Sequence, residues 1–167
     1  MMTWLDPYLP LLALSRSPGS ARTSLEQDLS LVAQTGVSHI ICLQEPFELD
    51  LFDESIASRR AAVEALGMVF THEPVEDYGV PSLAQMRRIV EVIAEHEERS
   101  QKVLVHCQAG LGRAGTVAAC AMWRVMAEPE GAMAMVRYLR PGAIQSERQE
   151  TFIVSFFDWM KSQTKSM

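Results

Sequence analysis

Lys102-Val103-Leu104-Val105-His106-Cys107-Gln108-Ala109-Gly110-Leu111-Gly112-Arg113-Ala114-Gly115-Thr116 is the stretch on which the reading of this chain turns. A short apolar run ends at His106. Glycines stand at 110 and 112, and an apolar, helix-like stretch runs from Val117 to Met126. The order is strand, glycine-rich loop, helix. A loop in that place aims backbone N–H groups at a common point, and the helix N-terminus adds positive partial charge there. Gly110 and Gly112 let the backbone turn inward without Cβ clashes. The backbone of Gln108, Ala109, Gly110, Leu111 and Gly112 thereby reads as a cradle for a doubly charged anion such as phosphate.

The loop opens on Cys107 and closes on Arg113, which gives the cradle a chemistry. A phosphate monoester dianion repels nucleophiles. A thiolate set among N–H donors can still attack it, because the donors offset the charge of both partners. Arg113 supplies a planar fork for two phosphate oxygens, a geometry that lysine lacks. His106 is read as orienting the loop and tuning the thiolate, not as a base. The leaving group needs a proton, and the best donor in the chain is Asp77, within His72-Glu73-Pro74-Val75-Glu76-Asp77-Tyr78-Gly79-Val80-Pro81. Glu76 and Glu73 compete for that part. A placed proton donor contributes ~10²–10⁴-fold in rate.

Further out, short continuously apolar runs at Leu11–Ser15, Val37–Leu43 and Met68–Thr71 read as strands, each followed by a loop or helix. Thr23-Ser24-Leu25-Glu26 and Ser82-Leu83-Ala84-Gln85 have capping-box spacing and open helices. The second helix runs to about Ser100, with Leu83, Met86, Ile89, Val90 and Ile93 facing inward. Gln44–Asp53 reads as an acidic loop and Ser58–Leu66 as a short helix that begins with basic residues. Helices are expected near 114–126, 130–139 and 147–162. Buried strands alternating with helices predict an α/β fold, a single domain over residues 1–167, with a mostly parallel sheet covered on both faces. Ligands in such sheets sit beyond the carboxyl ends of the strands, where Cys107 falls.

Composition bounds the partners. The net charge of −6 argues against nucleic acid and anionic lipid, so attraction for a phosphorylated substrate must be local to the loop. No apolar run approaches the ~20 residues that cross a bilayer, and the first residues lack the pattern of a signal peptide. Cys42, Cys107 and Cys120 have no metal-ligand spacing, and Cys42 and Cys120 read as buried, inert thiols. A reducing, cytoplasmic setting follows. His39, His72 and His96 are too scattered in sequence to suggest a metal, and no cofactor is expected.

His106-Cys107, five residues and Arg113, with Gly110 third after the cysteine, resemble the signature of the cysteine-dependent protein tyrosine phosphatases. Asp77, 30 residues before Cys107, is similar to the general-acid loop of that superfamily. Arg140-Pro141-Gly142-Ala143-Ile144-Gln145, with Gln149 following, resembles the segment carrying a water-positioning glutamine in compact dual-specificity members. Leu12–Gly19 and Leu43–Leu49 look like the kinase-associated branch, so the likeness spans about residues 10–158. It implies that Cys107 forms a phosphocysteine, Arg113 binds the phosphoryl group, Asp77 is acid and then base, and Gln145 orients water. Arg140 is read as a structural hydrogen-bonder to loop carbonyls. One departure stands out: Ala114 occupies the place where the family commonly has Ser or Thr, whose hydroxyl assists hydrolysis of the phosphocysteine. The expected substrate is a phosphorylated protein or peptide. A small-molecule phosphatase for a nucleotide or inositol phosphate, and a slow or pseudo-phosphatase that binds phosphoproteins, are the alternatives. A sulfur-transferring rhodanese-type loop is disfavoured, because it usually has one residue fewer.

Overall fold

Strand β5 (Lys102–His106) lies at the centre of a five-stranded sheet of order β1-β2-β5-β3-β4 and carries the Cys107 loop at its carboxyl end. The computed structural model describes residues 2–166; Met1 and Met167, the ends of the expected domain, lie outside them. Around β5 stand β1 (Thr3–Leu5), β2 (Leu9–Ser15), β3 (Val37–Cys42) and β4 (Val69–His72). Only the β1–β2 pairing is antiparallel. The helices are α1 (Leu25–Gln34), α2 (Pro46–Asp50), α3 (Ile56–Glu64), α4 (Leu83–Glu98), α5 (Gly112–Ala121), α6 (Pro129–Leu139) and α7 (Glu147–Lys165).

Alternation along the strands splits the core in two. Leu12, Leu14, Ile41, Val103 and Val105 face the side packed by Met86 and Ile89 of α4, Val117 of α5, Val136 of α6 and Phe156 of α7. Ala13, Ile40, Cys42 and Leu104 face the other side, against Leu29 and Val32 of α1 and Val63 of α3. All ten residues of α5 are buried, which explains its run of glycine and alanine. A helix wrapped on every side needs small residues to let its neighbours approach.

Several boundaries differ from the expectations. β1 has only three residues, too few for a periodicity signal. The cap of α1 is shifted by one residue: Ser24 and Gln27 form the capping box, and Thr23 instead bonds Asp28. At α4, Ser82 Oγ accepts from Gln85 N–H at 3.0 Å, but the Gln85 amide turns away to Glu73 at 3.1 Å, so the reciprocal half of the box is missing. The stretch expected as helix to residue 126 breaks at Ala121 into a 3₁₀ turn, Met122–Arg124. The acidic loop Gln44–Asp53 contains α2, which starts with Pro46 at its first turn. No helix among the described residues is long and apolar enough to cross a membrane.

Candidate active site

The loop after β5 is held from outside by its carbonyls. Leu43 N–H bonds the His106 carbonyl at 3.0 Å, and Ser17 N–H bonds that of Gln108 at 2.9 Å. His106 Nδ1 faces the Cys107 carbonyl at 3.2 Å, and Ile144 N–H bonds the Leu111 carbonyl at 3.1 Å. Arg140 donates to the carbonyls of Gly110 and Ala109, as its sequence reading anticipated, and its third group bonds Thr3 Oγ1 at 2.8 Å. Six consecutive carbonyls thus point into the scaffold. The N–H groups of Gln108–Gly112 bond no protein acceptor among the described residues. Cys107, 2 % exposed, begins this loop.

Each glycine has its own reason. Gly110 has φ +73°, and a Cβ there would come within 2.3 Å of the Ser15 backbone. Gly112 needs space: a Cβ would lie 2.7 Å from Gln145 Oε1. Gln145, exposed, therefore stands over the start of α5. Gln149 is fully buried and committed elsewhere. It caps α7 through the N–H groups of Gln145 (2.8 Å) and Ser146 (3.3 Å) and donates to the Gly79 carbonyl at 3.2 Å.

Arg113 lies 1 % exposed against a partner the sequence reading missed. Glu48 of α2 takes both terminal nitrogens, Nη1 and Nη2, each at 2.7 Å. Nη1 also donates to the Val75 carbonyl at 2.9 Å. Nε is buried without a partner. The edge open to an oxyanion is therefore Nε with Nη2, not the terminal pair. Burial works against the guanidinium charge, but the Glu48 bonds and the charges of Cys107, Glu48 and Asp77 outweigh it and raise its pKa.

Asp77 Oδ1 lies 3.3 Å from Arg113 Nη2, with the side chain 52 % exposed. Its competitors are placed otherwise. Glu73 is held by Arg88 at 2.9 and 2.8 Å, and Glu76 faces Arg148 at 3.8 Å. The Asp77 segment is fastened to α7, since Ser146 Oγ donates to the Tyr78 carbonyl at 2.9 Å.

Behind the loop lies a second group absent from the sequence reading. Arg59 of α3 is fully buried and bonds Glu54 (2.8 Å), Ser17 Oγ (3.3 Å) and the Pro18 carbonyl (3.1 Å). It braces the segment whose Ser17 holds Gln108. A clue was present: Ile56, Arg59 and Val63 follow helical spacing, which puts the arginine on the inward face. For Glu48 the clue was Glu45-Pro46 three residues ahead, a helix start. Burial, helped by Arg59 and Arg113, pushes the His106 imidazole down to about 3. It is neutral at pH 7, which fits an orienting part.

Cys42 does not adjoin the loop cysteine. It pairs with His106 across β3–β5 and belongs to the opposite face of the sheet from Cys107, and burial pushes its thiol up to about 11. His39 and His96, far apart in sequence, do meet, with Nδ1 and Nε2 3.1 Å apart, and the second His39 nitrogen faces Thr71 Oγ1 at 2.6 Å. Ala114 is fully buried, and the Thr116 hydroxyl is spent on the Gly112 carbonyl at 2.7 Å.

Residues 2–153 match the family model described as Swiss Army Knife protein, DSP-PTPase phosphatase domain. Cyclin-dependent kinase inhibitor 3 of Homo sapiens is 28 % identical over 162 residues, spanning 93 % of this chain and 76 % of that protein. Kinase associated phosphatase, in a form whose catalytic-site cysteine is replaced by serine, superposes with a TM-score of 0.87 at 26 % identity, covering 97 % of this chain and 96 % of the other. Tk-PTP in its active form gives a TM-score of 0.79 at 29 % identity, covering 94 % and 96 %. The cysteine loop, the sheet that presents it and this family match agree: the chain belongs to the DSP-PTPase phosphatase domain family, as a compact dual-specificity phosphatase of the kinase-associated branch.

Proposed function

We propose that the protein hydrolyses phosphotyrosine, and phosphoserine or phosphothreonine, in protein substrates through a phosphocysteine. The observation that carries this reading is the cradle: carbonyls bonded to the scaffold, N–H groups of Gln108–Gly112 with no protein acceptor among the described residues, the buried Cys107 at the start of the loop and the open Nε edge of Arg113. Cys107 Sγ attacks phosphorus and the ester P–O bond breaks. The leaving oxygen takes its proton from Asp77. Gln145 then orients a water, whose proton passes to the Asp77 carboxylate as its oxygen attacks phosphorus. The P–S bond breaks, and the thiolate and inorganic phosphate are released. The N–H groups and Arg113 hold the equatorial oxygens throughout, where preorganised donors stabilise the developing charge. The acidic balance of the chain and the absence of Lys and His from residues 108–112 favour a protein substrate over a phosphoinositide headgroup. A cytoplasmic setting accords with three free cysteines.

The test is turnover of an aryl phosphate by wild type and by Cys107→Ser. Wild type turns over and the variant, folded, falls to background. Substantial activity in the folded variant rules Cys107 out as nucleophile.

Ala114 favours a second, slower version of the same reading. With Ala114 apolar and the Thr116 hydroxyl engaged, neither supplies the hydroxyl that would help the thiolate leave. The phosphoryl group then stays on Cys107 after the dephosphorylated protein has left, and hydrolysis of the phosphocysteine limits turnover.

A further inference from the structure

Two elements place exposed apolar side chains one residue away from groups bonded to Arg113. On α2, Glu48 holds the guanidinium, and the residue before it, Phe47, is 59 % exposed. Leu51, four residues on and thus on the same side of the turn, is 78 % exposed. After β4, Asp77 touches Arg113 Nη2, and the next residue, Tyr78, is 57 % exposed with φ +59°. Neighbouring Cα atoms are ~3.8 Å apart, so both aromatics border the mouth of the Cys107 loop. Large apolar side chains left in water beside a site mark a contact surface more often than chance exposure does.

The same border is negative. Residues 44–57 and 73–86 contain no Lys or Arg, and Asp50 and Asp53 are exposed there, whereas Glu76 is paired with Arg148 at 3.8 Å. A negative rim repels anionic flanks and an anionic bilayer, and it attracts cationic ones. The phosphate itself is met by the loop, so the rim acts on whatever lies beside it.

We propose that this rim reads the residues flanking the phosphorylated side chain, and that the partner is a phosphoprotein segment carrying Lys or Arg together with a bulky apolar residue next to the phosphoresidue. The proposal rests on the phosphomonoester reading of the Cys107 loop. Phe47 and Leu51 supply an apolar contact, Tyr78 closes the opposite side, and Asp50 and Asp53 pair with the basic flank.

The experiment uses fluorescent phosphotyrosine peptides of equal length flanked by Arg and Leu, Arg and Ser, Glu and Leu, or Glu and Ser. Binding is measured to Cys107→Ser, which does not consume them; a related phosphatase with the equivalent substitution retains the fold. The Arg–Leu peptide binds on the order of tenfold tighter than the Glu–Ser peptide at low ionic strength, and the charge part of that preference shrinks with salt. Asp50→Lys with Asp53→Lys reverses the Arg-over-Glu preference. Phe47→Ser with Leu51→Ser removes the Leu-over-Ser preference. Equal affinity for all four peptides, preferences unchanged in these variants, or equal binding of unphosphorylated peptides overturns the proposal. So does tighter binding to phosphoinositide-containing vesicles than to any peptide, which assigns the rim to a membrane. Aryl phosphate turnover by wild type is followed alongside. If it fails, the hydrolytic reading falls, while the binding panel still decides the rim.

Discussion

The Cys107 loop and the arm that closes over it are built on opposite principles. The loop is one contiguous segment whose shape is set by backbone bonds: six carbonyls drawn outward and a glycine where no Cβ fits. The arm comprises α2 and the Asp77 segment, two pieces far apart in sequence that meet through side-chain charges on a single guanidinium. Cys107, Gly110, Gly112 and Arg113 of the loop are buried and Ala109 is exposed, while on the arm Phe47, Asp50, Asp77 and Tyr78 are exposed and Glu48 and Val75 buried. The difference separates binding from chemistry. On the proposed reading the loop holds the phosphate, and proton transfer falls to Asp77 on the arm.

Breaking the arm while leaving the loop intact sharpens that division. Asp77→Asn lowers kcat/KM, which reports formation of the phosphocysteine, by ~10²–10⁴-fold for substrates with poor leaving groups and much less for a nitrophenolate, which departs unaided. Steady-state kinetics on both substrates check this. An equal loss on the two moves the acid to another residue, with Glu76 next in line.

Glu48→Ala cuts the arm at its other attachment. Arg113 then keeps a buried charge without its carboxylate, and removing one partner of such a pair costs about 3–5 kcal/mol. Urea unfolding reads the loss. Glu48→Gln retains one hydrogen bond and loses less. A loss below ~1 kcal/mol in Glu48→Ala means that the pair is solvated like a surface salt bridge and does not fix the guanidinium.

These two regions also differ in how far the sequence disclosed them. The loop was legible because its determinants are adjacent: strand, His106-Cys107, two glycines, Arg113, helix. The sheet followed from continuous apolar runs, and α4 from its amphipathic spacing. Glu48 and Arg59 escaped because a buried charge looks like a surface charge until its partner is known, and each partner lies across the fold: Arg113 for Glu48, Ser17 and Pro18 for Arg59. The His39–His96 contact was hidden in the same way, by a separation of 57 residues. Gln149 was readable as a cap, but its bond to Gly79, which ties α7 to the Asp77 segment, was not.

The loop's own weak point is pH. His106 is held near 3 by burial, against 6.5 for an unperturbed imidazole. Between those values the unfolded chain binds a proton that the folded chain refuses, so stability is full above pH 6.5 and falls as pH drops towards 3. At about 1.4 kcal/mol per unit, moving from pH 7 to pH 5 removes about 2 kcal/mol. His39, lowered by burial and by His96 to about 4, adds a loss of the same sign. Unfolding free energies at the two pH values test this, and His106→Gln flattens the dependence. Equal stability at pH 7 and pH 5 contradicts it.

The smallest expected effect lies at the junction of loop and helix. Ala114→Ser places a hydroxyl at the first turn of α5 and raises kcat several-fold, worth ~1 kcal/mol in the second barrier, with kcat/KM nearly unchanged. If kcat stays the same and wild type shows no burst, formation of the phosphocysteine is the slow step.

The most direct test of the account is to catch the phosphoryl group on Cys107. Asp77→Asn lacks the base for the second step, yet a nitrophenyl phosphate needs no acid for the first, so the intermediate accumulates. Mass spectrometry of the acid-quenched protein should then find one phosphoryl group on the peptide that contains Cys107, together with a burst of nitrophenolate approaching one equivalent per site. Turnover of the same substrate with Cys107 unmodified, or with the phosphoryl group on another residue, would contradict the account.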